Sequence, residues 1–290
     1  MKNRLIALKK YISFHPILLL VIIGVVIFCL FIFLDIKNGI TFRDLLSNLT
    51  ASIVEVFLLG LFVIVINKLS ERKERIIRYK EEIDSYRLWK ENEAIYRICG
   101  IVRSLNNINV TDIELYHCHL PGARLWRSNL QGADFCAANL KEADLFLSNL
   151  QGVNFLNAHL QGAQLWCSNL QGADFGRSDL RGANLSESDL QGADLRKANF
   201  QKADLSKTNL QGADLRKANF RKADLSKANL QGAIVKSNDW LKKLEKYNIT
   251  GIENINEIYY IGTDIINGKT IYKIKEKVES TISNTKLPKI

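Results

Sequence analysis

The side chains best suited to chemistry are four histidines and five cysteines, and only three of them are close together in the sequence. His117, Cys118 and His119 are consecutive, which at first sight suggests metal ligation. The repeat described below predicts instead that Cys118 points inward and both histidines outward, so the three do not converge. No Cys-x-x-Cys pair occurs, and the cysteine spacing matches no common zinc site.

Short motifs of common enzymes are also absent from the sequence. It contains no phosphate-binding P-loop, no Gly-x-Ser-x-Gly and no His-Glu-x-x-His. The many aspartates recur at one position of a repeat, so they need no catalytic explanation. The sequence therefore predicts a protein that is not an enzyme and that holds no catalytic site, no cofactor and no metal.

Two long apolar segments precede the histidine pair. Residues 17–34 are uncharged, and residues 49–67 contain one charge, Glu55. A helix needs about 20 apolar residues to cross the hydrocarbon core, so we predict a two-helix transmembrane hairpin over residues 1–67. A signal peptide is the alternative for the first segment, but no Ala-x-Ala cleavage site follows it.

Basic residues around the hairpin predict its direction. Four precede the first span and six lie in residues 68–80, whereas the connecting loop has two basic and two acidic residues. The positive-inside rule then places both termini in the cytosol. We expect a multi-pass protein of the cytoplasmic (inner) membrane whose remaining domains are cytosolic.

Three residues inside the spans could have specific roles. Gly24 and Gly60 lie at matched depth, where they either let the two helices pack closely or are isolated glycines. Glu55 lies about 18 Å from the cytosolic end of its span at 1.5 Å per residue. Either it is a protonated or snorkelling glutamate near the outer interface, or it forms an oligomer contact or small polar site.

Residues 68–110 are a charged connector in this interpretation. We predict one long helix over residues 68–100, continuing the second span. Leu69, Ile76 and Ile83 are seven apart, which allows a short coiled coil and a homo-oligomer; the alternative is a helix on the lipid surface or against the next domain. We expect an apolar stripe to cover the open end of that domain. The stripe comprises Ile95, Ile98, Val102 and Leu105.

Residues 111–235 repeat with a period of five. From Leu115 to Leu230 every fifth residue is Leu or Phe, and a small residue, usually Ala, stands two positions before each. No α-helix or flat strand has this period, so both side chains must point to one interior. Residues 191–210 and 211–230 differ at only two positions, which indicates a unit of four pentads.

This pattern resembles the pentapeptide-repeat family, whose motif is Ala-(Asp/Asn)-Leu-x-x. The resemblance covers residues 111–235 and implies a right-handed quadrilateral parallel β-helix, with one pentad per side and coils about 4.8 Å apart. Some family members mimic DNA with an acidic surface and shield a topoisomerase. Here fourteen Lys and Arg balance thirteen Asp and Glu over that range, so we do not expect that role.

Stacking positions twenty residues apart predicts the outer surface. The first coils place large apolar side chains on it, and such ladders often mark an interaction site; alternatively, the connector or the C-terminal segment covers them. The late coils interleave Lys and Arg with Asp, which favours a solvated wall over a nucleic-acid site. The predicted interaction residues are Trp126, Phe146, Leu147, Trp166 and, on the opposite side, Leu156.

Residues 236–290 are predicted to form a small α/β C-terminal cap. Short helices precede two β-prone runs that flank Asn267-Gly268, a strong hairpin signal, and residues 280–290 are expected to fray. Together these features predict a membrane-anchored, non-enzymatic interaction scaffold with the lipid bilayer and another protein as partners. The alternative is an oligomeric membrane pore or transport-accessory protein that uses the hairpin containing Glu55.

Overall fold

A computed structural model describes residues 42–267 and 269–277, without the side chains of residues 42–52 and Asn254. The first predicted span with Gly24, and the end predicted to fray, lie outside the described residues. The chain divides into two compact units, Met1–Ile77 and Arg78–Ile290.

The first helix, α1, runs over Phe42–Tyr86. Its segment Ile53–Tyr86 is, among the described residues, the one helix long and apolar enough to cross a membrane by length and composition. Phe57 and Phe62 are largely exposed on it, and so is Glu55. Gly60 is half-buried, and its predicted contact with Gly24 lies outside the described residues.

The predicted single helix over residues 68–100 is wrong. Helix α1 ends at Tyr86, and a separate helix, α2, runs over Asn92–Asn107. No Gly or Pro stands at the break. Instead, Arg87 donates to Asp84 and to the backbone of the first coil, so the chain leaves its helical path for a tertiary contact.

Helix α2 carries the predicted apolar stripe on its buried face. Ile98, Val102 and Leu105 are fully buried, and Ile95 is nearly so. The opposite face exposes Arg97 and its ion-pair partner Glu93. The 3.6-residue spacing of the apolar side chains therefore accounts for which face is buried.

Residues 111–235 form the predicted four-sided coil. Parallel bridges join positions twenty residues apart, and each coil has four of them, one per side. The first four are Glu114 with Asp134, His119 with Asn139, Arg124 with Asp144, and Asn129 with Asn149. The backbone thus behaves as a stack of very short parallel strands separated by corners.

The solenoid core is a set of columns of identical positions. Leu130, Leu150 and Leu170 are each 0% exposed, as the period of five predicts. The rings of Phe135, Phe155 and Phe175 stack with centroids 5.3 and 5.0 Å apart. Since each coil buries the same set, every added coil extends one continuous apolar column.

The corners explain two further features of the repeat. The second corner residue has positive φ, as in Gly132 at 71° and Leu147 at 56°, a conformation that glycine adopts without steric cost. The Asp or Asn between the two inward residues accepts a hydrogen bond from the N–H two residues on. Asp134 Oδ1, for example, accepts from Cys136 N–H at 2.9 Å, which fixes the start of the turn.

The residues after the last full coil form short elements around its end. Strand β1 is Ile234–Val235, helices α3 and α4 are Trp240–Glu245 and Ile252–Ile258, and strands β2 and β3 are Tyr259–Ile266 and Lys269–Glu276. The sheet order is β1-β3-β2, with both pairs antiparallel. Because β1 belongs to the last solenoid side, Gly232 N–H donates to Ile274 O at 2.7 Å and joins the hairpin to the coil.

Candidate interaction surface

Three aromatic rings stack on the outside of the first coils, and we call Trp126, Phe146 and Trp166 the aromatic ladder. Each occupies the first position of a corner, and corner positions twenty residues apart lie on adjacent coils. Trp126 and Phe146 have ring centroids 5.9 Å apart with planes 5° from parallel. Phe146 and Trp166 are 4.6 Å apart at 4°. The coil spacing itself therefore positions the rings.

Within the described part of the second compact unit, Arg78–Ile290, no other segment covers the ladder. Trp126 is 46% exposed, and the neighbouring Leu147 is 42% exposed. Phe146 and Trp166 are half-buried, since each ring covers the next. The Arg127 guanidinium lies 5.6 Å from the Trp126 ring centroid, which places a cation at the edge of the apolar patch.

Polar side chains end the patch after the third coil. Below Trp166 the same column continues with serines, and the adjacent column passes from Cys167 to Glu187 and Lys207. Lys207 donates to Glu187 at 2.6 Å, and this hydrogen bond lowers the pKa of the Glu187 carboxyl. Burial and the nearby Glu187 raise the pKa of the Cys167 thiol, so the thiol is protonated at neutral pH.

Leu156, also predicted as an interaction residue, lies at a different corner. It belongs to the column that contains Cys136 and Gly176. A Cβ built on Gly176 would meet Leu156 Cδ1 at 2.9 Å, so the leucine lies over the glycine and is half-buried. The structure thus brings four of the five predicted residues together and leaves Leu156 apart.

The His-Cys-His sequence does not form a metal site in the structure. Cys118 is fully buried, and burial raises the pKa of its thiol to about 11. His117 is exposed, and His119 Nδ1 lies 3.3 Å from Asn139 Nδ2. Among the described residues no group of three or more His, Cys, Asp or Glu side chains is placed to hold a metal ion.

Sequence reasoning missed Arg87, which closes the first coil. Its Nη1 donates to Tyr116 O at 2.5 Å, its Nη2 donates to Glu114 O at 3.3 Å, and its guanidinium lies 3.8 Å from the Tyr116 ring centroid. Its own carbonyl accepts from His119 N–H at 3.2 Å. Since a single arginine in a charged helix is common, the sequence carries no signal for this role.

The basic late coils contain arginines that are paired with aspartates. Arg196 and Arg216 form ion pairs with Asp194 and Asp214, each with a shortest separation of 2.5 Å. The aspartate hydrogen bond raises the pKa of Arg216. These ion pairs reduce the positive electrostatic potential at that corner, which agrees with a charged surface that faces solvent.

Comparisons with known proteins show the family of this chain. A family model described as pentapeptide repeats matches residues 111–145, 138–177, 173–212 and 198–236. The crystal structure of HetL, a pentapeptide repeat protein involved in heterocyst differentiation regulation in the cyanobacterium Nostoc sp. strain PCC 7120, is 30% identical. The match covers 43% of this chain and 69% of HetL, with a TM-score of 0.22. The chain belongs to the pentapeptide-repeat family.

Other pentapeptide-repeat structures are also similar to this chain. A pentapeptide repeat protein from the Arabidopsis thaliana thylakoid lumen is 33% identical over 41% of this chain and 75% of its own, with a TM-score of 0.20. Full-length QnrB1, a plasmid-mediated fluoroquinolone resistance protein, is 18% identical over 48% of this chain and 92% of its own, with a TM-score of 0.20. No curated protein matches the chain. Pentapeptide-repeat proteins are a class of non-enzymatic repeat scaffolds.

Proposed function

We propose that this pentapeptide-repeat protein is a membrane-anchored scaffold that presents the aromatic ladder to another protein on the cytosolic side of the inner membrane. The observation that carries the proposal is the ladder itself, three parallel rings held at one corner with Trp126 46% exposed. The solenoid core requires only the two inward positions of each pentad. Aromatic residues at outward positions therefore need a reason other than the core.

The chemistry of the ladder favours a protein partner. Tryptophan and arginine are enriched among residues that dominate binding energies, and Trp126 and Arg127 are adjacent. Leu147, 42% exposed, extends the apolar area beside the rings. Stacking already holds the three rings in place, so binding orders few side chains, and less entropy is lost on association.

Membrane anchoring is supported by composition and charge. Helix α1 contains a segment with the length and apolar character of a membrane span. Basic residues cluster in residues 68–80, directly after the second predicted span, which favours a cytosolic location for everything that follows.

A site-specific photo-cross-linking experiment tests the ladder. A photoreactive amino acid replaces Leu147 in the full chain in intact cells, and a second variant carries it at Lys227, the same corner position four coils later. We expect a discrete adduct from position 147 only, lost when Trp126, Phe146 and Trp166 are changed to serine. Equal adducts at both positions, or an adduct that survives the serine substitutions, would contradict the proposal.

The topology has a separate test. Lys37→Cys and Ser237→Cys variants are labelled with a membrane-impermeant maleimide, in a background without Cys29, Cys136 and Cys167. We expect Lys37→Cys to react in intact cells and Ser237→Cys only after permeabilisation. Labelling of position 237 in intact cells would refute the cytosolic placement.

A further inference from the structure

Strand β2 is an edge strand with an apolar surface. In the sheet order β1-β3-β2 it pairs on one side with β3, and within the described residues no backbone hydrogen bond reaches its other side. Ile265 is 78% exposed, and Tyr260 and Ile266 are each 45% exposed. Long apolar edge strands are templates for pairing with another chain unless charge, proline or a bulge blocks them.

The hydrogen-bond pattern identifies the backbone groups on the free edge. Lys277 N–H donates to Ile258 O, and Ile274 bonds on its other side to Gly232 and Ala233. Since hydrogen-bonding pairs alternate along an antiparallel ladder, the even-numbered residues of β2 bond to β3. The N–H and C=O groups that point to the free edge belong to Tyr259, Ile261, Thr263 and Ile265.

The apolar side chains nearest to Thr263 in β2 are placed symmetrically about it. Moving outward from it, Gly262 mirrors Asp264, Ile261 mirrors Ile265, and Tyr260 mirrors Ile266. An antiparallel strand paired with its own copy about a two-fold axis places such mirrored residues opposite each other. In such a pair, the small Gly262 lies opposite the polar Asp264, and the two outer pairs are both apolar, so the strand is complementary to its own copy.

We propose that β2 pairs antiparallel with β2 of a second copy of this chain, with Thr263 of both copies at the two-fold axis. This register puts Ile261 opposite Ile265 and Tyr260 opposite Ile266, so each exposed apolar side chain gains a partner. It also gives the free N–H and C=O groups of Ile261, Thr263 and Ile265 partners in the other strand. The two three-stranded sheets become one six-stranded sheet.

Neighbouring registers are less favourable. A centre at Asp264 sets two carboxylates opposite each other, which is destabilising. A centre at Gly262 pairs Ile265 with Tyr259, whose ring is buried and whose hydroxyl accepts from Leu230 N–H at 3.3 Å. Of these three centres, only the one at Thr263 places each exposed apolar side chain of β2 opposite another apolar side chain.

Charge complementarity supports the same register. The Lys275 side chain crosses Gly262, where a built Cβ would meet Lys275 Cδ at 2.6 Å, and its Nζ lies 2.9 Å from Asp264 Oδ1. With Thr263 at the axis, Asp264 of the second copy lies opposite Gly262. Each Lys275 is then located between two carboxylates of opposite charge to its own.

Proline substitutions test the pairing through the backbone. Proline is tolerated on an edge strand where its missing N–H faces solvent, so Thr263→Pro should leave the monomer folded but block the dimer. Thr270→Pro on β3 is the control, because the N–H of Thr270 points away from β2. By mass measurement of the full chain in detergent, we expect a concentration-dependent dimer for the wild type and Thr270→Pro, and a monomer for Thr263→Pro. The dimer should be reversible, because two edge strands bury less than the roughly 1,200 Å² of a stable interface.

Cysteine cross-linking tests the register, in a background with Cys29, Cys136 and Cys167 changed to serine. Thr263→Cys places two thiols on opposed residues, about 5.5 Å apart between Cα atoms. Ile265→Cys is the control, since position 265 is more exposed but lies about 13 Å from its own copy along the strand. We expect a short thiol cross-linker to join Thr263→Cys at least tenfold faster. A wild-type monomer at all concentrations, or equal cross-linking of the two variants, overturns the proposal.

Discussion

The amide of Asn106 takes the place of a missing coil above the first one. Its Nδ2 donates to Asn129 O at 2.7 Å, and its Oδ1 accepts from Asn129 N–H at 2.8 Å. In the next coil the equivalent group, Asn149 N–H, donates to Ser128 O at 3.0 Å. Replacing Asn106 with alanine therefore removes the two hydrogen bonds that satisfy the backbone of Asn129 on the open side of the first coil.

The expected cost follows from three lost hydrogen bonds, since Asn106 Nδ2 also lies 3.2 Å from Val110 O. Each such bond contributes a net ~1 kcal/mol. Asn129 is exposed, so water replaces part of what is lost. We expect Asn106→Ala to lower the free energy of local unfolding of the first coil by ~1–2 kcal/mol, a 5- to 30-fold larger opening constant.

Hydrogen exchange with peptide resolution measures this local change. Amides in residues 111–130 should exchange 5- to 30-fold faster in Asn106→Ala, while residues 191–210 should be unchanged, because solenoid coils contact only their neighbours. Asn107→Ala is the matched control, since Asn107 is exposed on the same helix turn. An equal effect in Asn107→Ala, or faster exchange in both peptides, would refute the hypothesis that the Asn106 amide is a local cap of the first coil.

Three further predictions concern the coil itself. Phe155→Ala should lower the free energy of unfolding by ~3–5 kcal/mol in denaturant titrations, whereas Phe155→Leu should cost under ~1.5 kcal/mol, because later coils carry leucine there. Gly152→Ala should lower the free energy of unfolding by ~1–2 kcal/mol, because the φ of Gly152 is 64°. Gly100→Ala in helix α2 should instead raise it by ~0.5–1 kcal/mol, because a Cβ built on Gly100 has nothing within 4 Å. Burial raises the pKa of Asp179, but hydrogen bonds led by the one from Arg181 outweigh burial and leave the pKa lowered. The ionised Asp179 carboxylate therefore stabilises the fold above pH ~4, and this stabilisation is lost as pH falls through the folded pKa. Unfolding midpoints of wild type and Asp179→Asn, measured from pH 7 to pH 3, should converge in acid.

The solenoid was predictable because the period of five is a geometric statement. The near-identical blocks 191–210 and 211–230 indicate four pentads per coil, and this twenty-residue unit predicts which leucines stack and which outer residues share a column. The stacking of Trp126, Phe146 and Trp166 follows from the same arithmetic. Leu156 is also apolar and outward-facing, but the same arithmetic assigns it to another column, where the structure places it over Gly176.

The ends of the solenoid were not predictable in the same way. A repeat specifies contacts between equivalent positions, whereas an end requires contacts that occur once. Arg87 and Asn106 each satisfy backbone groups of the first coil, yet neither belongs to a pattern. The break of the predicted helix at Arg87 has the same origin, because a tertiary contact outweighs local helix propensity there.

The outer columns of the solenoid differ in whether the fold accounts for them. Asn149 Nδ2 donates to Asn129 Oδ1 at 3.0 Å and Asn169 Nδ2 donates to Asn149 Oδ1 at 3.2 Å, so the repetition of asparagine in this column serves coil stacking. The aromatic ladder also stacks, at ~0.5–1.5 kcal/mol per ring pair, but the same column continues below it with serines while the coil geometry stays unchanged. Coil stacking therefore does not require rings in that column. If the aromatic ladder served only stability, replacing its rings with serine would lower the free energy of unfolding and leave every cross-link from position 147 intact. If instead the cross-link is lost while amides of the later coils keep their protection from hydrogen exchange, the ladder acts in partner binding and not only in folding.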